Sequence, residues 1–161
     1  GTPLPEVGIA VTVHKSCQPF ASTTHVVPPA VVLGMGCRKN KESEAVEKAA
    51  FSCLKENDIY PEAVAALASI DVKKEEPGLL ALSEKLGVPF KTFSSEELLS
   101  VQGEFTSSSF VSKTVGVDNV CERSAVKAAE NHTGIHFIQR KRGAEGVTTA
   151  LVLGDWRIRF E

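Results

Sequence analysis

Two glycine-hinged turns, Gly34-Met35-Gly36-Cys37-Arg38 and Gly116-Val117-Asp118-Asn119-Val120-Cys121-Glu122, gather much of the chain's reactive chemistry. Each opens a helix-like segment. A helix start leaves backbone N–H groups unpaired, able to hold an anion or a carbonyl oxygen. Cys37 and Cys121 sit at those starts, where a thiol becomes more acidic. A nucleophilic thiol also wants a histidine base, and none is close in sequence; the plainer reading is a small residue packed at a crowded turn. A third cluster, Asp71-Val72-Lys73-Lys74-Glu75-Glu76-Pro77-Gly78, ends an apolar run. At such a strand tip a carboxylate can draw a proton from water and a lysine can neutralise an anion. The alternative is a solvated charge cluster capping the next helix.

Other patterns say less. Gly34-Met35-Gly36 begins like a dinucleotide fingerprint, but Lys39 stands where the third glycine belongs and no acidic residue is placed on a following strand. His14-x-x-Cys17 and His132-x-x-x-His136 have spacings a metal could use; Gly134 interrupts the second, and no metal site is expected. Arg140, Lys141, Arg142, Arg157 and Arg159 make the C-terminal part locally basic, either a polyanion site or a solvated sheet face.

With 161 residues, 42% apolar and 24% charged, the chain fits one α/β domain with a real core. Its net charge of −2 argues against general nucleic-acid binding. No apolar run reaches membrane-span length and no secretory signal opens the chain. The four cysteines are scattered without a C-x-x-C pair, so no disulfide framework is expected and the cytoplasm is the expected compartment. A start at Gly1 rather than Met reads as a piece of a longer protein.

Strands are expected over Val7–Val13, Ala30–Met35, Ala66–Val72, Val88–Phe93, Ile135–Gln139 and Val147–Leu153, with Gly34 and Gly36 ending the second. Lys15–Thr24 reads as a polar stretch, and Pro28-Pro29 forces the residues before it to be extended. Helices are expected over Lys41–Asn57 with Asn40 as N-cap, from Leu79 to Leu86 closed by Gly87, a short one after Ser94, and one over Asn119–Asn131. Thr106–Ser109 reads as a loop, Lys141–Gly146 as a turn and Trp156–Phe160 as an edge strand that would invite pairing with a second copy. Strands alternating with helices predict a three-layer α/β/α sandwich with a mixed, mostly parallel sheet.

Four segments, in order, carry a resemblance. They are Pro28-Pro29 leading to Val32-Leu33-Gly34-Met35-Gly36-Cys37-Arg38; Ser69-Ile70-Asp71-Val72-Lys73 with Glu76-Pro77-Gly78-Leu79; Phe93-Ser94-Ser95-Glu96-Glu97-Leu98; and Gly116-Val117 with Val120-Cys121-Glu122. Together they resemble the CbiG/CobE family of cobalamin biosynthesis, in the C-terminal domain of cobalt-precorrin-5A hydrolase. The resemblance implies a leading segment over residues 1–27 and the family domain over 28–161. It implies a part in hydrolysis, opening the δ-lactone of a corrin precursor and releasing acetaldehyde; the alternative is a non-catalytic module that binds the intermediate. The implied partners are a polyanionic tetrapyrrole and the separate N-terminal domain of the long members. No protein cofactor is implied, because cobalt arrives inside the substrate. For such a hydrolysis the candidate base is Glu76, with Glu122 second and Lys73 as charge stabiliser. Gly34, Gly36, Cys37, Arg38, Lys39, Gly116, Val117, Cys121 and Lys141 are the implied substrate-binding residues.

Overall fold

The computed structural model describes Pro3 and residues 6–106, 117–130 and 134–154. Gly116, His132, most of the expected Thr106–Ser109 loop and the expected edge strand at Trp156–Phe160 lie outside these residues. Two leading strands, β1 (Val7–Val11) and β2 (Ser22–Val26), pair in parallel as a separate two-stranded sheet. The stretch read as polar up to Thr24 therefore gives its last three residues to β2. The main sheet comprises β3 (Val31–Cys37), β4 (Val64–Ile70), β5 (Phe90–Phe93), β6 (Ile135–Ala144) and β7 (Val147–Gly154), in the order β5-β4-β3-β7-β6. β3, β4 and β5 are parallel, β7 is antiparallel to β3, and β6 is antiparallel to β7. Every strand but β7 thus points the same way, as expected of a mixed, mostly parallel sheet.

Helices α1 (Ser43–Glu56) and α2 (Pro77–Leu86) cover one face. Their Val46, Ala50, Leu54, Leu79 and Leu82 pack with Leu33, Met35, Leu67 and Leu151 in the larger core. The short helix α3 (Ser95–Leu99) and helix α4 (Val120–Ala128) belong to the other face. There Ala125 and Ala129 meet Val32, Ala68 and Val152, while Val117 and Val120 meet Ile70 and Leu98. Strand alternation accounts for the division: Val31, Leu33 and Met35 point to α1 and α2, and Val32, Gly34 and Gly36 to the opposite face.

Local signals worked where chemistry is local. Ser94 and Glu97 form a reciprocal capping box on α3, and Gly87 closes α2 at φ +67°. Two expectations are corrected. Asn40 does not cap α1; it takes φ +57° in the preceding loop, and Glu42 occupies the cap position without a side-chain bond. Nor do Gly34 and Gly36 end β3, which runs through both to Cys37. Gly34 is there because α4 lies directly over it: a Cβ would stand 1.9 Å from the carbonyl oxygen of Cys121. The expected Lys141–Gly146 turn shrinks to Glu145-Gly146, at φ +52° and +78°, matching the two-residue hairpin that suits twisted strands.

Gly34→Ala should therefore destabilise the fold by roughly 1–3 kcal/mol or more, since the clash is with backbone that cannot swing away. A urea midpoint equal to wild type would refute the close approach of α4 to β3.

Candidate functional site

β3 leads through α1 to β4, and β4 through α2 to β5, all on one face; the chain then returns by α4 on the other face to β6 and β7. The sheet order therefore reverses at β3, and open α/β sheets bind ligands beyond the C-terminal strand ends at such a point. A cleft of about 490 Å³ lies there, within the size range of small-molecule sites. Its walls are Gly36, Cys37, Arg38 and Lys39 at the end of β3, Ile70 and Lys73 at the end of β4, Val120 at the start of α4, Lys141 on β6, and the hairpin residues 143–148.

Charge is concentrated here. Arg38, Lys39, Lys73 and Lys141 all line the cleft, against one lining carboxylate, Glu145. The hairpin is held over β3 by the Arg38 N–H, which donates to the Gly146 carbonyl at 3.1 Å, and by the Thr148 hydroxyl, which donates to Gly36 O at 3.4 Å. Gly36 is needed for that contact, since a Cβ would stand 2.8 Å from Thr148 Oγ1. At the tip of β4, Asp71–Lys73 forms a 3₁₀ turn that brings Lys73 into the wall. Lys73 Nζ lies 3.9 Å from Glu76 Oε2, and both side chains are largely covered. Glu76 is only 6% exposed, and its Oε1 has no hydrogen-bond partner among the described residues. An unsatisfied buried carboxylate oxygen is unusual, because losing water without gaining a donor costs free energy. Burial raises the Cys37 thiol above its ordinary value; Lys73 opposes the rise and Glu76 adds to it. Cys37 is therefore a neutral, polarisable wall group and not a ready nucleophile.

Of the residues expected at the site, the structure brings Gly36, Cys37, Arg38, Lys39, Lys73 and Lys141 to one cleft. Glu76 stands behind Lys73 and is not part of the wall. Gly34, Val117 and Cys121 are corrected to packing residues, all inaccessible. Burial drives the Cys121 thiol up to about 12, which removes it as a nucleophile. Glu122 is corrected as a base. It is fully buried, and although burial works to raise its pKa, bonds from Asn119, Lys141 and Thr106 prevail and hold it at about 2. A carboxylate so acidic has little tendency to take a proton from water. Among the described residues no three His, Cys, Asp or Glu side chains converge as a metal site.

Sequence reasoning missed the hairpin wall, Gly143 to Thr148. The signal was present in Glu145-Gly146, a two-residue turn between strand-like runs, but only pairing with Cys37 and Gly36 shows that it leans over the end of β3.

Comparison with known proteins agrees with this fold. A family model described as "Cobalamin synthesis G C-terminus" matches residues 31–152, a span that includes every wall residue of the cleft. The chain is similar to the cobalt-precorrin-5A hydrolase of Salmonella typhimurium, 37% identical over 120 residues, covering 73% of this chain and 34% of that protein. It is similar also to the cobalt-precorrin-5A hydrolase of Priestia megaterium, 30% identical over 128 residues, covering 80% and 34%. The chain thus spans about a third of the length of these relatives. The crystal structure of CobE, a protein from the cobalamin (vitamin B12) biosynthetic pathway, superposes with a TM-score of 0.70 at 28% identity, covering 77% of this chain and 89% of that one.

The bonds to Glu122 give a pH dependence. Its folded-state pKa lies below the ordinary 4.5, so its contribution to stability is present above 4.5 and is lost as pH falls towards 2. Glu122→Gln should be clearly less stable than wild type at pH 7, and the gap should narrow at pH 3. Urea midpoints at both values check this; a constant gap would contradict it.

Proposed function

Because the chain belongs to the cobalamin synthesis G C-terminal family, we propose that its cleft receives the carboxylate-bearing edge of a corrin precursor in cobalt-precorrin-5A hydrolysis. One observation carries the reading: four cations, Arg38, Lys39, Lys73 and Lys141, converge on one cleft in a chain whose net charge is −2. Corrin precursors carry acetate and propionate side chains, which lysine and arginine bind by charge-assisted hydrogen bonds. A cleft of about 490 Å³ takes an edge of such a macrocycle, which leaves the rest to a larger assembly. The further length of the hydrolase relatives supports that assignment of partners. Cobalt is part of the substrate, and no separate cofactor is proposed.

Opening a δ-lactone adds water to the ring carbonyl, breaks the acyl C–O bond and yields a carboxylate and an alcohol. Loss of the hydroxyl proton then turns that alcohol carbon into a carbonyl: its bond to the macrocycle breaks, the electron pair stays on the macrocycle carbon, which takes up a proton, and acetaldehyde leaves. The first step needs a proton acceptor and a donor for the developing oxyanion. Lys73, on the wall, is assigned the oxyanion. Glu76 behind it is assigned the proton, its unbonded Oε1 being the oxygen free to accept. Glu122 takes no part in proton transfer. A cytoplasmic setting belongs to the same proposal and is supported by four free cysteines.

The test is acetaldehyde release from cobalt-precorrin-5A by the full-length protein. Glu76→Gln should bind corrin as wild type does while turnover falls by about 10²–10⁴, the usual worth of a positioned base. Lys73→Ala should lose both turnover and affinity. Unchanged turnover in both variants would refute the assignment, and tight binding without any turnover by the full-length protein would leave a carrier module instead.

A further inference from the structure

We infer that Glu122 is a positioning residue: it holds a bulge in β6 that turns Lys141 into the cleft, where Lys141 binds a substrate carboxylate. The inference rests on the proposed function and adds a residue to it. Along β6, Gln139 pairs with Leu151 and Arg142 with Thr149, so the stretch from 139 to 142 faces a shorter stretch of β7. Gln139 accepts from the Cys53 thiol of α1, and Arg142 donates to Glu56 of the same helix. Both ends of the stretch therefore face α1. Under strict alternation Lys141 would share that face with Gln139 and point away from the cleft. The extra residue breaks the alternation, as bulges do when they re-aim a side chain. Arg140 and Lys141 consequently both turn to the α4 side, Arg140 to Glu122 and Lys141 into the cleft wall.

A bulge also removes a backbone N–H from the ladder. Here the Lys141 N–H donates to Glu122 Oε2 at 2.7 Å. The other oxygen accepts from the Thr106 N–H and from Arg140 Nη1, each at 3.2 Å. Glu122 itself is fixed, with no exposure and its own N–H held by the Asn119 side chain at 3.2 Å. Both oxygens face donors, so an amide in the same place must turn its NH₂ towards one of them. A carboxylate is the group that satisfies the bulge.

Cobyrinic acid, a corrin with free acetate and propionate groups, is titrated into wild type, Lys141→Ala, Glu122→Gln and the double variant. Each single change should weaken binding by about tenfold, the worth of one charge-assisted contact. The double variant should bind no more weakly than Lys141→Ala, because Glu122 acts through that lysine. A Glu122→Gln loss undiminished in the Lys141→Ala background, or wild-type affinity in Lys141→Ala, would overturn the inference alone. Should Glu122→Gln not fold, amide exchange in the wild-type chain decides: the Lys141 N–H should be protected like its β6–β7 neighbours, and free exchange would overturn the clamp. No binding of cobyrinic acid to wild type would overturn the functional reading and this inference with it.

Discussion

Helix α4 can lie on the central strand only because Gly34 has no side chain. Its missing Cβ leaves room for the Cys121 carbonyl, and with it the first turn of α4 settles against the middle of β3. That one approach fixes the rest of the cleft side of the sheet. It sets Val120 at the cleft floor, buries Cys121 and brings Glu122 under the bulge of β6. Packing of this density transmits small displacements, so a shift of α4 would be felt at every wall of the cleft.

The two buried carboxylates among the described residues are treated in opposite ways. Glu122 is saturated: each oxygen accepts from backbone or guanidinium, and the charge is stable. Such a group organises structure, because its bonds are lost together if it moves. Glu76 has Lys73 at the edge of ion-pair range and an oxygen with no partner among the described residues. Burial alone does not distinguish these two carboxylates; the state of their hydrogen bonds does, and the role proposed for Glu76 follows from its unpartnered oxygen. The cations divide similarly. Arg140 and Arg142 face Glu122 and Glu56, whereas Arg38, Lys39, Lys73 and Lys141 line the cleft. A basic stretch in sequence thus splits between structure and site.

Much of the architecture was legible in order and type. The α/β alternation, the mostly parallel sheet, the Gly87 stop and the Ser94 capping box depend on neighbours a few residues apart, so periodicity and cap chemistry reveal them. The strand end at Cys37 was misjudged because glycine is read locally as punctuation, while its reason here lies 87 positions away at Cys121. Asn40 looked like a cap for the same local reason and instead shapes the loop before α1.

Of the site, residue type and the family resemblance together pointed to Gly36–Lys39, Lys73 and Lys141 as groups for an anionic ligand, because charge and backbone freedom are properties of residue type. Tertiary structure decided which groups share a cleft and which are buried. It put Cys121, Val117 and Gly34 into the packing, made Glu122 an anchor, and brought the 143–148 hairpin over the end of β3. The physical reason is that a side chain's role depends on its exposure and hydrogen-bond partners. Those are set by contacts between segments far apart in the chain, as when Lys141 meets Glu122 across a bulge.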